Sequence, residues 1–157
     1  MIRNIHKAII ALLLIGLPSV SFAKRYDVTL PEVASCLKTA QPGDRIYIKD
    51  GQYKDMQLKW IGKGTEKSPI TIEALNPGKV KVEGGSTLRI AGEWLSVSGL
   101  HVTDGYAPKG SVIEFRNGQE LANHCRLTNC VIDKFNPSRR DQAYSYILLY
   151  GRHNRVD

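Results

Sequence analysis

Leu95-Ser-Val-Ser-Gly-Leu-His-Val102 aligns without gaps on Cys125-Arg-Leu-Thr-Asn-Cys-Val-Ile132. A further step places His124-Cys-Arg-Leu127 on His153-Asn-Arg-Val156, one residue before the end at Asp157. Apolar and polar residues alternate within these copies, the period of a strand. Self-similarity at about 30 residues, built from short strands, is the signature of a solenoid in which each turn covers the open face of the last. A chain that stops as a turn begins is expected to be part of a longer array.

The same texture runs outward from this stretch. From Gln41 on, Arg45-Ile-Tyr-Ile48, Pro69-Ile-Thr-Ile-Glu73, Val80-Lys-Val82, Leu88-Arg-Ile90 and Val112 to Phe115 read as strands. Asp50-Gly51, Gly62-Lys-Gly64, Asn76-Pro-Gly78 and Gly84-Gly85 read as punctuation between them. Tyr146 to Tyr150 continues the series. No amphipathic helical run separates these strands, which argues against a βαβ fold. An antiparallel sandwich also uses many short strands, but two-residue hairpin turns are few and the self-match favours a coil. The expected fold is all-β, a right-handed parallel β-helix with three short strands per turn. Leu, Ile, Val and Cys should then stack inward, and Ser96, Ser98, Arg126 and Thr128 should face outward.

Ahead of the strands, Thr29-Leu-Pro-Glu32 has capping-box spacing with Pro31 in the first turn. Val33, Leu37 and Ala40 follow at helical spacing. This predicts a short helix from about Leu30 to Thr39, placed to plug the open end of the first coil.

The first 23 residues read as a secretory signal. Arg3, His6 and Lys7 form a basic start, Ala8 to Leu17 an apolar run, and Ser21-Phe-Ala23 a cleavage site. The run is too short to span a bilayer comfortably. Residues 24–157 are then one exported domain, secreted or periplasmic in a bacterium, with no stable membrane insertion after cleavage. The net charge is +7, of which Arg3 and Lys7 carry two, so the domain holds about +5. Such a domain suits an acidic polysaccharide or an ordinary solvated basic surface, and export makes nucleic acid the poorest fit.

Cys36, Cys125 and Cys130 are odd in number and lack metal-ligand spacing. Cys125 and Cys130 occupy the repeat positions of Leu95 and Leu100, so they read as small core residues, with a disulfide between them left open. His101 matches Val131 and reads as structural. His124 and His153 recur on successive turns and should stack. Carboxylates sit mostly beside turns. Glu114 beside Arg116 is the one pair that suggests a groove, and it reads as a surface ion pair. G-x-S-x-G, H-E-x-x-H, P-loop and G-x-G-x-x-G motifs are absent from the sequence. Two longer connections, Thr103 to Ser111 and Asn136 to Ser145, are where a solenoid would build a binding face.

Four segments together resemble polysaccharide lyase family 6, the alginate lyases and chondroitinase B. They are Pro42-Gly-Asp-Arg-Ile-Tyr-Ile-Lys-Asp-Gly-Gln-Tyr53, Lys67 to Val80, Asn123-His-Cys-Arg-Leu-Thr-Asn-Cys-Val-Ile-Asp133 and Tyr150-Gly-Arg-His-Asn-Arg155. The resemblance runs from Gln41 to the last residue. It implies a β-helix enzyme that cleaves acidic polysaccharide by β-elimination, with bound Ca²⁺ neutralising a uronate carboxylate, a Lys as base and an Arg assisting the leaving oxygen. No position here matches those family residues, so catalytic and metal residues are expected beyond Asp157 and the chain alone is expected to be inactive. Lys109, Lys134 and Arg152 receive no catalytic role. Arg116, Arg139 and Arg140 are the candidates for substrate binding, because guanidinium groups suit uronate carboxylates.

Alginate is the expected substrate, with dermatan sulfate as the alternative within the family. A non-catalytic carbohydrate-binding β-helix and a uronan epimerase are the readings from other classes. Endo or exo mode and oligomeric state are left open by the sequence.

Overall fold

Strands this short cannot stand alone, and most are paired with strands of the neighbouring coils. The computed structural model describes residues 23–139, 141 and 143–157. The signal reading, apart from Ala23, lies outside the described residues, and so does Arg140.

The chain enters through β1 (Arg25–Val28), a 3₁₀ turn at Leu30–Glu32 and helix α1 (Val33–Leu37). One coil follows as β2 (Arg45–Ile48), β3 (Gly51–Lys54) and β4 (Gln57–Lys63), and the next as β5 (Ile70–Ala74), β6 (Val80–Gly84) and β7 (Thr87–Glu93). The third comprises β8 (Leu95–Ser98), β9 (Leu100–Gly105), β10 (Ser111–Glu114), β11 (Arg116–Asn117) and β12 (Glu120–Asn123). The fourth comprises β13 (Arg126–Thr128), β14 (Val131–Ile132), β15 (Ser145–Leu148) and β16 (Gly151–Arg152), and β17 (Arg155–Val156) lies beyond it.

Three sheets result. The first stacks β1, β2, β5, β8, β13 and β17; the second stacks β3, β6, β9 and β14. The third carries β4, β7, β10 and β15, with β12 and β16 paired alongside. Among the described residues the pairings are parallel except for the short β11–β12 hairpin. This is the right-handed parallel β-helix expected from the repeat, and it rules out the sandwich.

The internal alignment is the register of the coils. Arg126 lies opposite Ser96, Leu127 opposite Val97 and Val131 opposite His101. Arg155 and Val156 lie opposite Arg126 and Leu127. The period is not uniform, however. Gln57 pairs with Thr87 thirty residues on, Arg45 with Thr71 after 26, and Val80 with Leu100 after 20. Only the strands must be in register, and the connections absorb the difference.

Inside the coil the apolar residues stack as expected. Ile46, Ile48, Ile70, Ile72, Leu95, Val97 and Leu127 are buried, while Ser96, Ser98, Arg126 and Thr128 lie on the outer side. Each such aliphatic side chain contributes about 1.5–3 kcal/mol on burial. Cys125 is buried at the position of Leu95, and Cys130 is half-buried against the core. All three cysteines are free thiols, so the disulfide left open by the sequence does not form. Burial pushes the thiols of Cys125 and Cys130 above their ordinary value.

The corners are turned by single residues in the left-handed region. Trp94, His124 and His153 occupy one corner with φ of 54°, 55° and 56°. Beside that corner, Gly62, Gly92, Ala122 and Gly151 stack as a column of small residues. A Cβ on Gly92 would collide with the carbonyl oxygen of Gly62, and one on Gly151 with that of Ala122. Gly62-Lys-Gly64, read from sequence as punctuation, is thus partly strand: β4 continues through Lys63 because Gly62 serves close stacking, not a turn.

The open end is covered by more than a helix. Leu30, Val33 and Leu37 are buried against the first coil. Thr29 donates from its backbone N–H and its hydroxyl to Glu32 Oε2, both at 2.7 Å, which anchors the start of the plug. The helical segment is a 3₁₀ turn followed by an α-helix that ends at Leu37, two residues short of expectation. Strand β1, absent from the sequence reading, extends the first sheet past β2, with Tyr26 opposite Ile46 and Val28 opposite Ile48. Among the described residues no helix is long and apolar enough to cross a membrane.

Candidate functional site

Strand β4 alternates along its length and β7 does so from Leu88 to Ile90, so Leu58, Trp60, Leu88 and Ile90 point into the coil while Lys59 and Arg89 point out. Register then aligns three outward residues: Lys59 lies opposite Arg89, and Arg89 opposite Glu114 of β10. These residues floor a cleft of about 410 Å³, walled on one side by the β11–β12 hairpin. The hairpin turns at Gly118, whose φ of 63° favours glycine.

Glu114 is buried, with 8% of its surface exposed. Arg89 Nε lies 3.1 Å from Oε2, and Arg116 Nε donates to Oε1 at 2.5 Å. Arg89 also donates from Nη1 to the carbonyls of Leu88 (3.3 Å) and Ser111 (3.2 Å). The Arg116 guanidinium carbon sits 3.9 Å from the centre of the Tyr150 ring, which belongs to the following coil. Nearby, Thr87 donates its hydroxyl to Gln57 Oε1 at 2.7 Å, and Gln57 Nε2 donates to the Gly85 carbonyl at 2.9 Å. One buried carboxylate therefore faces two guanidinium groups, and with Lys59 the cleft has an excess of positive charge.

This corrects the sequence reading of Glu114 and Arg116 as a surface ion pair. Glu114 lies between β7 and β15 in the third sheet, and its second partner, Arg89, comes from another coil. Of the three arginine candidates, Arg116 lines the cleft. Arg139 lies in the connection between β14 and β15, where its Nη2 bonds Asp141 at 2.5 Å with the side chain 77% exposed. Arg140 lies outside the described residues.

Lys59, Arg89 and Tyr150 escaped the sequence reading. A signal for the first two was present, since Leu58-Lys-Trp60 and Leu88-Arg-Ile90 match at the same step of about 30 residues. Tyr150 lies behind Arg116 and meets it only through coil stacking.

The histidines form a separate feature. Trp94 and His124 stack with ring centres 4.1 Å apart and planes at 12°, and His153 continues the stack at 4.7 Å and 21°. His101 Nε2 lies 2.9 Å from Asp133 Oδ1. Hydrogen bonds from Thr103 and then His101 hold that carboxyl below its ordinary value. Lys109, Lys134 and Arg152 do not line the cleft. Among the described residues no three of His, Cys, Asp or Glu converge to hold a metal ion.

The family model described as Chondroitinase B matches residues 29–157. The chain belongs to the chondroitinase B family. Among solved structures similar to this family member is the PL6-family alginate lyase AlyGC, at 44% identity and a TM-score of 0.80. A mannuronic acid-specific family 6 lyase from human gut microbiota matches at 32% and 0.75, and the family 6 lyase Pedsa3628 from Pseudopedobacter saltans at 31% and 0.74. Each match covers 85% of this chain, which spans 19% of AlyGC, 33% of the gut enzyme and 30% of Pedsa3628. No curated protein matches the chain.

Proposed function

We propose that these coils bind the substrate of a polysaccharide lyase that cleaves a uronate polymer, alginate foremost, by β-elimination. Membership of the family carries this reading, together with 44% identity to an alginate lyase over 85% of the chain. The positively charged cleft on the third sheet adds a local reason. In β-elimination a base removes the proton on C5 beside the carboxylate, the C4–O bond breaks, and a C4–C5 double bond forms as the leaving oxygen is protonated. A polyanion must be held while this happens, and a guanidinium-lined groove does so. We assign the coils described here to that holding role. Alginate is preferred to dermatan sulfate because the similar structures include an alginate lyase and a mannuronic acid-specific family 6 lyase. Export through the N-terminal signal, and Ca²⁺ in the reaction, belong to the same proposal.

The test is the exported protein that carries this sequence, purified and incubated with alginate and with dermatan sulfate. Ultraviolet absorbance of the unsaturated uronate end reports each cleavage. Product from alginate is the expected result. Product from dermatan sulfate alone would move the substrate within the family, and product from neither would overturn the lyase reading.

A further inference from the structure

Three cations face the cleft, and their surroundings divide them. Arg89 is committed inward, because Nε meets Glu114 and Nη1 is held by the carbonyls of Leu88 and Ser111. Its side chain is 21% exposed. Lys59 is a solvated point charge on the floor of the cleft. Arg116 differs from both. Its Nε is fixed by Glu114, one face lies over the Tyr150 ring, and 41% of its side chain is exposed. Among the described residues no acceptor takes either of its Nη groups.

A guanidinium anchored through Nε and stacked on a ring keeps its Nη1–Nη2 edge in a set orientation. Two parallel N–H donors on that edge match the two oxygens of a carboxylate. Preorganisation matters because a free arginine loses rotamer entropy on binding, whereas this one has already lost it. The partner carboxylate cannot be Glu114, whose oxygens already face both arginines.

Building on the lyase reading, we propose that Arg116 is the specificity-determining residue of the cleft and grips a uronate carboxylate of the polymer through Nη1 and Nη2. Glu114 and Tyr150 are positioning residues: the first aims the fork and the second, reaching from the next coil, keeps it flat. Lys59 adds attraction without orientation. The ligand class is a polymer with free carboxylates, not a neutral glycan.

Isothermal titration of this chain with uronate oligosaccharides, and with the same oligosaccharides after reduction of their carboxyl groups, tests the idea. Free-carboxylate oligomers should bind and reduced ones should not. Arg116→Ala should weaken binding about tenfold or more, the scale of a lost charge-assisted hydrogen bond. Arg116→Lys should restore only part of it, since lysine keeps the charge and loses the fork. Tyr150→Leu should weaken binding, and Tyr150→Phe should retain it because the ring remains. A cooperative melt for Arg116→Ala, within several degrees of the wild type, would show that the comparison is between folded proteins. Unchanged affinity in Arg116→Ala, full rescue by lysine, or equal binding of reduced oligomers would overturn the proposal. The readout is binding, so it is independent of whether unsaturated product appears. A protein that binds through Arg116 and yields no product would refute the lyase reading alone.

Discussion

Glu114 and Arg89 are joined at 3.1 Å from different coils, β10 and β7, in a part of the cleft where the carboxylate is buried. A carboxylate in that position is tolerable only while its cations remain. Replacing it with a neutral isostere leaves Arg89 partly buried without its counter-ion. Glu114→Gln is therefore expected to lower stability by about 3–4 kcal/mol, the lower part of the range for a broken buried pair. Arg116→Ala, which leaves Glu114 paired with Arg89, should lower it by about 1 kcal/mol or less. Urea denaturation of both variants checks the order, and equal losses would contradict the buried-pair account.

Trp60 is fully buried, and its indole N–H has no acceptor among the described residues. The ring contributes through packing, while the unpaired donor works against it. Trp60→Phe is expected to change stability by about 1 kcal/mol or less, because the donor leaves with part of the volume. Trp60→Ala should reduce it by about 3–5 kcal/mol through an empty cavity in the first coil. A phenylalanine variant as unstable as the alanine one would mean that the indole N–H is satisfied in solution.

Glu32 supplies the pH dependence of the plug. Hydrogen bonds from the backbone and hydroxyl of Thr29 hold its carboxyl below the ordinary value of 4.5. A depressed folded value means that the contribution is complete above 4.5 and is lost as pH falls through the lower, folded value. The melting temperature of the wild type should exceed that of Glu32→Gln at neutral pH, and the two should converge in acid below that range. A gap that persists or widens in acid would assign the wrong sign to this group.

Gly92 and Gly78 separate steric overlap from backbone conformation. Both have positive φ, 94° and 78°, but a Cβ on Gly78 would meet open space, whereas on Gly92 it would meet the Gly62 carbonyl. Gly78→Ala should therefore lower stability by roughly 1–2 kcal/mol, the conformational term alone. Gly92→Ala should exceed that by about 1–3 kcal/mol, since neighbouring coils must move apart. Thermal melts of the two variants measure the difference.

The fold was readable where coil lengths happen to agree. The steps from Ser96 to Arg126 and from His101 to Val131 are both 30 residues, and there the repeat stands out by eye. Between β6 and β9 the step is 20, and no gapless alignment can reveal it. Strand β1 was missed because Arg25-Tyr-Asp-Val28 is too short for its alternation to signify until β2 lies beside it. The cleft was half legible. Glu114 and Arg116 are two residues apart and could be paired on paper, but Arg89 and Tyr150 join them only through stacking across coils. Burial of Glu114 was hidden for the same reason, since a strand's exposure depends on what lies over it.

The unequal coil steps have a kinetic side. Parallel strand partners on successive coils are separated by between 20 residues (Arg25 with Arg45) and 34 (Ser111 with Ser145). The entropy of closing a loop depends only weakly on length over that span, so each coil is about as easy to form as its neighbour. Pairing never reaches across the whole chain, so relative contact order falls as coils are added instead of rising with size. Assembly can start at any coil that closes early and advance in either direction by copying its edge. A strand that is slow to find its place here waits for its neighbour to form, not for a distant part of the chain.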